Sequence, residues 1–308
     1  ALRVGQSQGH DASLVLASPG PAPPSDTVPP VPGRARVFLT MSIIGLAVLV
    51  LAYAVFVQTR IGQHVDDGAY LGRFGEGSSA AAAFRRLLNV IEPATIVVMV
   101  LVIVVIGIVR RTLGVAALTI AAMACSIIAA EILKRILPRP PLDPEWESLV
   151  GKTDSYPSGH VTIATTFVLA LLVVTSPRLR ALVQVLGTLF VAGVGTGVVI
   201  AGWHRPSDVL GGLALSLGVM SGAAALLTWR RGHPIDPLPS SYRGAWEVAA
   251  LVGLLMGAFV LSLRHSLHDR TVHYLLLFGA INLVCIGVVV SCFAWAMRRV
   301  DWIPPISE

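Results

Sequence analysis

Long apolar runs alternate with short polar segments along this chain. A run of about 18 to 25 mainly apolar residues is long enough to cross a bilayer as a helix. Eight such runs occur, at residues 37–57, 91–109, 113–133, 159–176, 181–202, 208–229, 245–263 and 272–297. The pattern therefore predicts an all-α fold, a polytopic transmembrane helical bundle.

Composition agrees with this prediction. Of the 308 residues, 55% are apolar and only 13% are charged, which is too little polar surface to cover a water-soluble protein of this size. We expect the surroundings to be a lipid bilayer and expect no nucleic-acid partner.

Arginines flank the apolar runs and predict the orientation. Lys and Arg collect in cytoplasmic loops close to the ends of spans. If both termini are cytoplasmic, one side holds Arg34, Arg36, Arg110, Arg111, Arg178, Arg180, Arg230, Arg231, Arg298 and Arg299. We therefore expect a multi-pass protein of the cell membrane with both termini in the cytoplasm.

The polar segments divide the chain into four parts. Residues 1–36 are Pro-rich and predict a disordered cytoplasmic tail. Residues 37–231 hold six spans, 232–244 form a Pro-rich connector, and 245–308 hold two further spans, which we expect to pack or to contact a membrane partner or a second copy. The loop 58–90 ends in SSAAAAFRRLLNV, whose spacing predicts a short amphipathic helix at the interface.

Three polar clusters interrupt the apolar background. They are LKRILPRPP at 133–141, YPSGH at 156–160 and GWHRPSD at 202–208. On the predicted topology they close the third span, open the fourth and join the fifth to the sixth. All three clusters are therefore expected at the outer face.

The first two clusters suit phosphate binding. Ser158 can cap a helix, and Gly159 leaves the backbone N–H groups of that helix end open to an anion. Charge for phosphate oxygens is available from Lys134, Arg135 and Arg139. Lys134 has an alternative partner in Glu131, one helical turn earlier.

The third cluster suits nucleophilic catalysis. His204 and Asp208 are four residues apart, so the carboxylate can hold one ring nitrogen and leave the other to attack. His160 would protonate the leaving group. These groups predict phosphoryl transfer through a covalent histidine intermediate, with no metal and no cofactor, because the sequence offers no carboxylate cluster for magnesium.

These motifs resemble the type 2 phosphatidic acid phosphatase superfamily of membrane lipid phosphatases. Residues 157–160, Pro-Ser-Gly-His, match its second motif, and His204 and Asp208 match its third. The resemblance covers about residues 40–230. It implies a six-span phosphatase-like core acting on a lipid phosphate at the extracytoplasmic face of the cell envelope, with a polyprenyl phosphate or diphosphate favoured as substrate.

The chain departs from the superfamily pattern in two places. Lys134 and Arg139 are separated by four residues where six are usual, and the Ser-Arg positions of the third motif are Gly197 and Val198. A phosphate-binding arginine is therefore missing, and Arg205 or Lys152 is a candidate replacement.

The expected function is hydrolysis of a lipid phosphate or diphosphate by a metal-independent phosphatase. Two alternatives remain open at this point. One is a lipid phosphotransferase using the same histidine, and the other is a catalytically silent lipid-binding or scaffold subunit.

Overall fold

A computed structural model describes residues 31–72, 79–89, 93–142, 155–231, 233–234, 270–298 and 300–302. In these ranges the chain is an all-α bundle. Its helices are α1 (Val31–Ala52, continued by a π-helical turn Tyr53–Val57), α2 (Arg60–Leu71), α3 (Ser79–Asn89), α4 (Pro93–Val109), α5 (Leu113–Ile136), α6 (Gly159–Val174), α7 (Arg180–Ile200), α8 (Pro206–Arg231) and α9 (Arg270–Met297). Two short strands, β1 (His233–Pro234) and β2 (Val300–Asp301), pair antiparallel.

Five of the described helices are long and apolar enough to cross a membrane: Gly33–Val57, Leu113–Ile136, Arg180–Ile200, Pro206–Arg230 and Tyr274–Met297. Helices α3 and α4 add a sixth if they are taken as one span with a bend of 57°. The prediction of a multi-pass helical bundle is confirmed. The predicted span 245–263 lies outside the described residues, as do most of the predicted tail and connector.

Two boundaries differ from the sequence prediction. Helix α1 begins at Val31, inside the tail predicted for residues 1–36, because Arg and Ala favour helix and extend it beyond the apolar run. The segment 58–90, predicted as a loop with one helix near its end, contains two helices. The unpredicted one, α2, carries no apolar stripe, since its buried face is polar.

Helices α1 and α8 cross with their backbones almost in contact. A Cβ at Gly45 would lie 2.6 Å from the backbone nitrogen of Gly218 and 2.9 Å from the carbonyl oxygen of Ala214. Ser42 Oγ donates to the Gly218 carbonyl at 2.7 Å. Small residues at a crossing allow helices in a membrane to pack closely, and here they fix the position of α8.

Helix α6 is the centre of the bundle. It contacts α4, α5, α7, α8 and α9, and most of its side chains are buried. With 16 residues it is about 24 Å long, shorter than its neighbours. The residues at its beginning lie at one end of the bundle, which we call the site end.

Helix α9 packs against the preceding helices of the bundle. The Phe56 and Phe278 rings meet edge to face at 5.4 Å, Gln184 Nε2 donates to Ser291 Oγ at 3.0 Å, and Asn282 Nδ2 donates to the Pro206 carbonyl at 3.2 Å. The sequence analysis set residues 245–308 apart as an extension. In the structure the described part of that extension is a member of the bundle, because its few polar side chains find partners on the core helices.

At the end of the bundle opposite the site end, polar contacts tie the last described residues to the core. Arg110 donates to Asp301 at 2.7 and 3.0 Å and to the Val174 carbonyl at 2.8 Å. Trp302 Nε1 donates to the Val173 carbonyl at 2.7 Å, and Arg180 donates to the Val300 carbonyl at 2.7 Å. We call this set the terminal clamp.

Candidate active site

The two histidines of the second and third clusters lie side by side at the site end. Their ring centroids are 6.3 Å apart, and the Trp203 indole stacks at a tilt against His160 at 5.2 Å. His160 is in the first turn of α6, and His204 is in the turn between α7 and α8. Gly202, with φ of 74°, gives that turn a left-handed backbone that a residue with a Cβ rarely adopts.

Asp208 fixes the orientation of His204. Its Oδ2 lies 3.3 Å from His204 Nδ1 and also accepts from Ser155 Oγ at 2.5 Å and from the Arg205 backbone N–H at 2.9 Å. The Asp208 side chain is fully buried. Because Nδ1 faces this carboxylate, Nε2 is the nitrogen of His204 that would act on a substrate.

Ser158 begins α6 and ties it to α8. Its Oγ caps the helix by accepting from Val161 N, at a long 3.5 Å, and its backbone N–H donates to the Asp208 carbonyl at 2.9 Å. Gly159 faces α5, since a Cβ there would lie 3.0 Å from Lys134 Nζ. The first, second and third polar clusters therefore meet at one place.

The cations of the first cluster have different surroundings. Lys134 Nζ pairs with Glu131 Oε1 at 2.7 Å, which is the alternative partner that the sequence left open. Arg135 is exposed. Arg139 is largely buried, with its guanidinium 2.7 Å from Asp66 Oδ2.

Two carboxylates of α2 hold the arginines of the site. Asp66 pairs with Arg139, and Asp67 pairs with Arg139 at 3.3 Å and with Arg205 Nε. Asp66 also accepts from Ser207 Oγ at 2.6 Å and from the Ser207 backbone N–H at 2.9 Å, at the beginning of α8. Arg139 and Arg205 thus belong to one buried network of opposite charges.

Burial and charge act in opposite directions within this network. Burial raises the pKa of the Asp66 carboxyl above its ordinary value, although the Arg139 guanidinium and the Ser207 hydroxyl act to lower it. Burial alone would lower the pKa of Arg139, but the carboxylates of Asp66, Asp208 and Asp67 raise it overall. The guanidinium therefore stays charged.

Comparison with known families agrees with this geometry. Residues 111–232 match the PAP2 superfamily, a stretch that contains all three polar clusters. This part of the chain belongs to the PAP2 superfamily. The match supports a membrane phosphatase of lipid phosphates. No curated protein and no solved structure matches the chain.

Position 198, where the resemblance noted in the sequence led us to expect an arginine, lies in the apolar core. Val198 is fully buried in the apolar core, and its carbonyl accepts from the backbone N–H groups of Trp203 and His204. The Phe84 ring of α3 packs over Gly197, where a Cβ would lie 2.8 Å from it. The neighbouring Arg85 donates from Nε to the Ala201 carbonyl at 3.1 Å, so α3 brings a cation close to the altered motif.

The sequence analysis missed the carboxylates of α2. The signal was the spacing of four polar or aromatic residues, Gln63, Asp66, Asp67 and Tyr70, on one helical face. Apolar residues with this spacing form the buried face of an amphipathic helix, but in α2 most of the residues at these positions are polar or charged. Lys152, the other candidate replacement for the missing arginine, lies outside the described residues.

The described part of the chain contains no group of three or more His, Cys, Asp or Glu side chains placed to hold a metal ion. The polar groups at the site end are two imidazoles, a helix N-terminus, two guanidinium groups and the carboxylates of Asp66, Asp67 and Asp208 that pair with them. Such a set can bind a phosphate and attack its phosphorus atom.

Proposed function

We propose that this PAP2 protein hydrolyses a lipid phosphate or diphosphate through a phosphohistidine intermediate, with a polyprenyl chain as the favoured lipid. The observation that carries the proposal is the His160–His204 pair, with ring centroids 6.3 Å apart and Asp208 bonded to the far nitrogen of His204. A phosphate seated between the rings would meet a nucleophile on one side and a proton donor on the other.

The reaction has two steps. His204 Nε2 attacks phosphorus while the bond from phosphorus to the leaving oxygen breaks, and protonated His160 gives that oxygen its proton. Water then attacks phosphorus, the N–P bond breaks, and His160 takes the proton of the water. Asp208 holds Nδ1–H and stabilises the positive charge that forms on the ring.

The phosphate oxygens need donors on the same side of the pocket. We assign this role to the start of α6, at Ser158 and Gly159, and to the cations Lys134, Arg135, Arg139 and Arg205. Lys134 Nζ and Glu131 Oε1 both lie close to the Gly159 position, so Lys134 would exchange its carboxylate partner for a phosphate oxygen at this helix end.

We place the site at the extracytoplasmic face of the cell membrane and both termini in the cytoplasm. Support comes from the arginines at the opposite end of the bundle, which include Arg110, Arg111, Arg178 and Arg180. Basic residues near span ends favour the cytoplasmic side.

The test is phosphate release from a panel of lipid phosphates and diphosphates by wild type, His204→Ala and Asp208→Asn. We expect release by wild type, none by His204→Ala, and an intermediate rate for Asp208→Asn, because Asp208 orients the ring but does not attack. Thermal midpoints of all three proteins verify that each is folded. A chelator is expected to leave the rate unchanged.

Equal rates of phosphate release by wild type and His204→Ala would rule out the mechanism through a phosphohistidine at His204. Release that requires an added lipid acceptor would identify a phosphotransferase. Lipid binding without release from any substrate would identify a silent lipid-binding subunit.

A further inference from the structure

Helix α2 presents one face to the candidate active site. The face consists of Gln63, Asp66, Asp67 and Tyr70, whose spacing of three, four and seven residues from Gln63 puts them on the same side of the helix. All four are buried, although three of the four are polar or charged. A buried polar face needs partners, and its partners are the loops of the first and third clusters.

The two ends of this face bind the two loops separately. Gln63 Nε2 donates to the Pro140 carbonyl at 2.6 Å, and its Oε1 accepts from the Leu142 N–H at 3.1 Å. Tyr70 Oη donates to the Gly202 carbonyl at 2.7 Å, two residues before His204. Helix α2 therefore sets the distance between the loop that carries Arg139 and the turn that carries His204.

The two carboxylates in the middle of this face, Asp66 and Asp67, orient the arginines of the site. Asp66 bonds to the Arg139 guanidinium and, at the same time, to the side chain and backbone N–H of Ser207. Asp67 bonds to Arg205, whose guanidinium lies 5.5 Å from the centre of the Tyr70 ring. The direction of Arg139 is thus set by a carboxylate that also caps the beginning of α8.

These carboxylates are fixed parts of the fold. Displacing Asp66 would leave the Ser207 N–H uncovered at a buried helix end, which is costly. Helix α9 holds α2 from behind, with the Tyr274 ring packed on the backbone at Gly68 and against the His64 ring at 6.3 Å. A carboxylate held in this way is suited to orient an arginine and poorly suited to be exchanged for a phosphate.

We infer that Asp66 and Asp67 are positioning residues for phosphate transfer, Asp66 acting through Arg139 and Asp67 through Arg205. The inference rests on the proposed function. It assigns a task to α2, a segment that lies outside the PAP2 match at residues 111–232.

The test is a double-mutant cycle on phosphate release with Asp66→Asn, Arg139→Ala and the double variant. We expect Asp66→Asn to lower kcat/KM about 10- to 100-fold, mainly through KM, because a misplaced arginine binds phosphate poorly. If Asp66 acts through Arg139, the double variant should lose little more than Arg139→Ala alone. The inference would be overturned if the fold-losses of kcat/KM in the two single variants multiplied in the double variant. It would also be overturned if Asp66→Asn kept the wild-type kcat/KM. A rise in kcat/KM would also overturn it, since the carboxylate would then compete with substrate.

Asp301→Asn is the matched control. It also removes a carboxylate charge from a largely buried arginine pair, but at the opposite end of the bundle. We expect it to lower the thermal midpoint without changing kcat/KM. Loss of activity in Asp66→Asn beyond that of Asp301→Asn, at a comparable midpoint, then reports positioning and not general destabilisation.

A second readout separates this inference from the proposed function. Orthovanadate is a phosphate analogue, and its binding is measured by the rise that it causes in the thermal midpoint. Suppose that wild type releases no phosphate, that vanadate raises its thermal midpoint, and that vanadate raises the midpoint of Asp66→Asn by less. The proposal of hydrolysis would then be wrong, while the inference that Asp66 positions the phosphate site would be supported. A wild-type midpoint that vanadate does not move, or moves equally in Asp66→Asn, would overturn the positioning role.

Discussion

Position 198 shows how a single residue can change which groups are available to bind phosphate at a site. The sequence resemblance led us to expect an arginine there, but Val198 is buried among apolar side chains, and Phe84 packs over the preceding Gly197. An arginine at position 198 would have to place its charge within this apolar core. The departure is therefore built into the packing of the bundle.

Restoring the arginine is consequently expected to fail. Val198→Arg would bury a charge in the apolar core at a cost of several kcal/mol, so we expect less folded protein and no gain in phosphate release. Val198→Leu, which adds volume without charge, is the control and should reduce the yield of folded protein less than Val198→Arg does. A folded Val198→Arg protein with faster release, measured per folded molecule, would contradict this account.

Residues were predictable where the chemistry is local in sequence. His204 and Asp208 are four residues apart, and the turn that leads into α8 brings them into contact. The pairing of Asp66 with Arg139 joins residues 73 positions apart, so no local sequence pattern predicts it. A carboxylate whose partner comes from a distant loop becomes visible only when the helices are assembled.

Among the elements, the crossing of α1 and α8 depends on the absence of side chains. At Gly45 the nearest neighbours of an added Cβ are backbone atoms of the opposite helix, which cannot rotate away. Apolar run length predicted these long helices well, because crossing a bilayer requires a continuous local run. It did not predict α2, whose buried face is polar and whose partners are loops.

We expect Gly45→Ala to push α1 and α8 apart and to lower stability by about 1 to 3 kcal/mol. Gly193→Ala in α7 is the matched control, since an added Cβ there meets nothing within 4 Å. Alanine favours helix over glycine, so the control should be neutral or stabilised by up to about 1 kcal/mol. Thermal midpoints in the same detergent measure both, and equal midpoints would argue against the close crossing.

At the scale of the whole molecule, the terminal clamp joins the end of the described chain to three core helices. Arg110 follows α4, Val173 and Val174 end α6, and Arg180 begins α7. Arginines that the sequence assigned only to orientation therefore also hold the bundle together.

Asp301→Asn should weaken this clamp. Removing the charge of one partner leaves Arg110 largely buried without its counter-charge, at a cost of about 3 kcal/mol. We expect a lower thermal midpoint and, per folded molecule, the same rate of phosphate release. An unchanged midpoint would show that the carbonyl contacts of Arg110 are sufficient.

The shortness of α6 has a consequence for the lipid. A helix of 16 residues covers about 24 Å, less than the roughly 30 Å of a hydrocarbon layer, whereas α5 with 24 residues and α7 with 21 are longer. Because α6 is enclosed by five helices, the bilayer does not have to adapt to its length, and a lipid substrate would have to reach His160 between those helices.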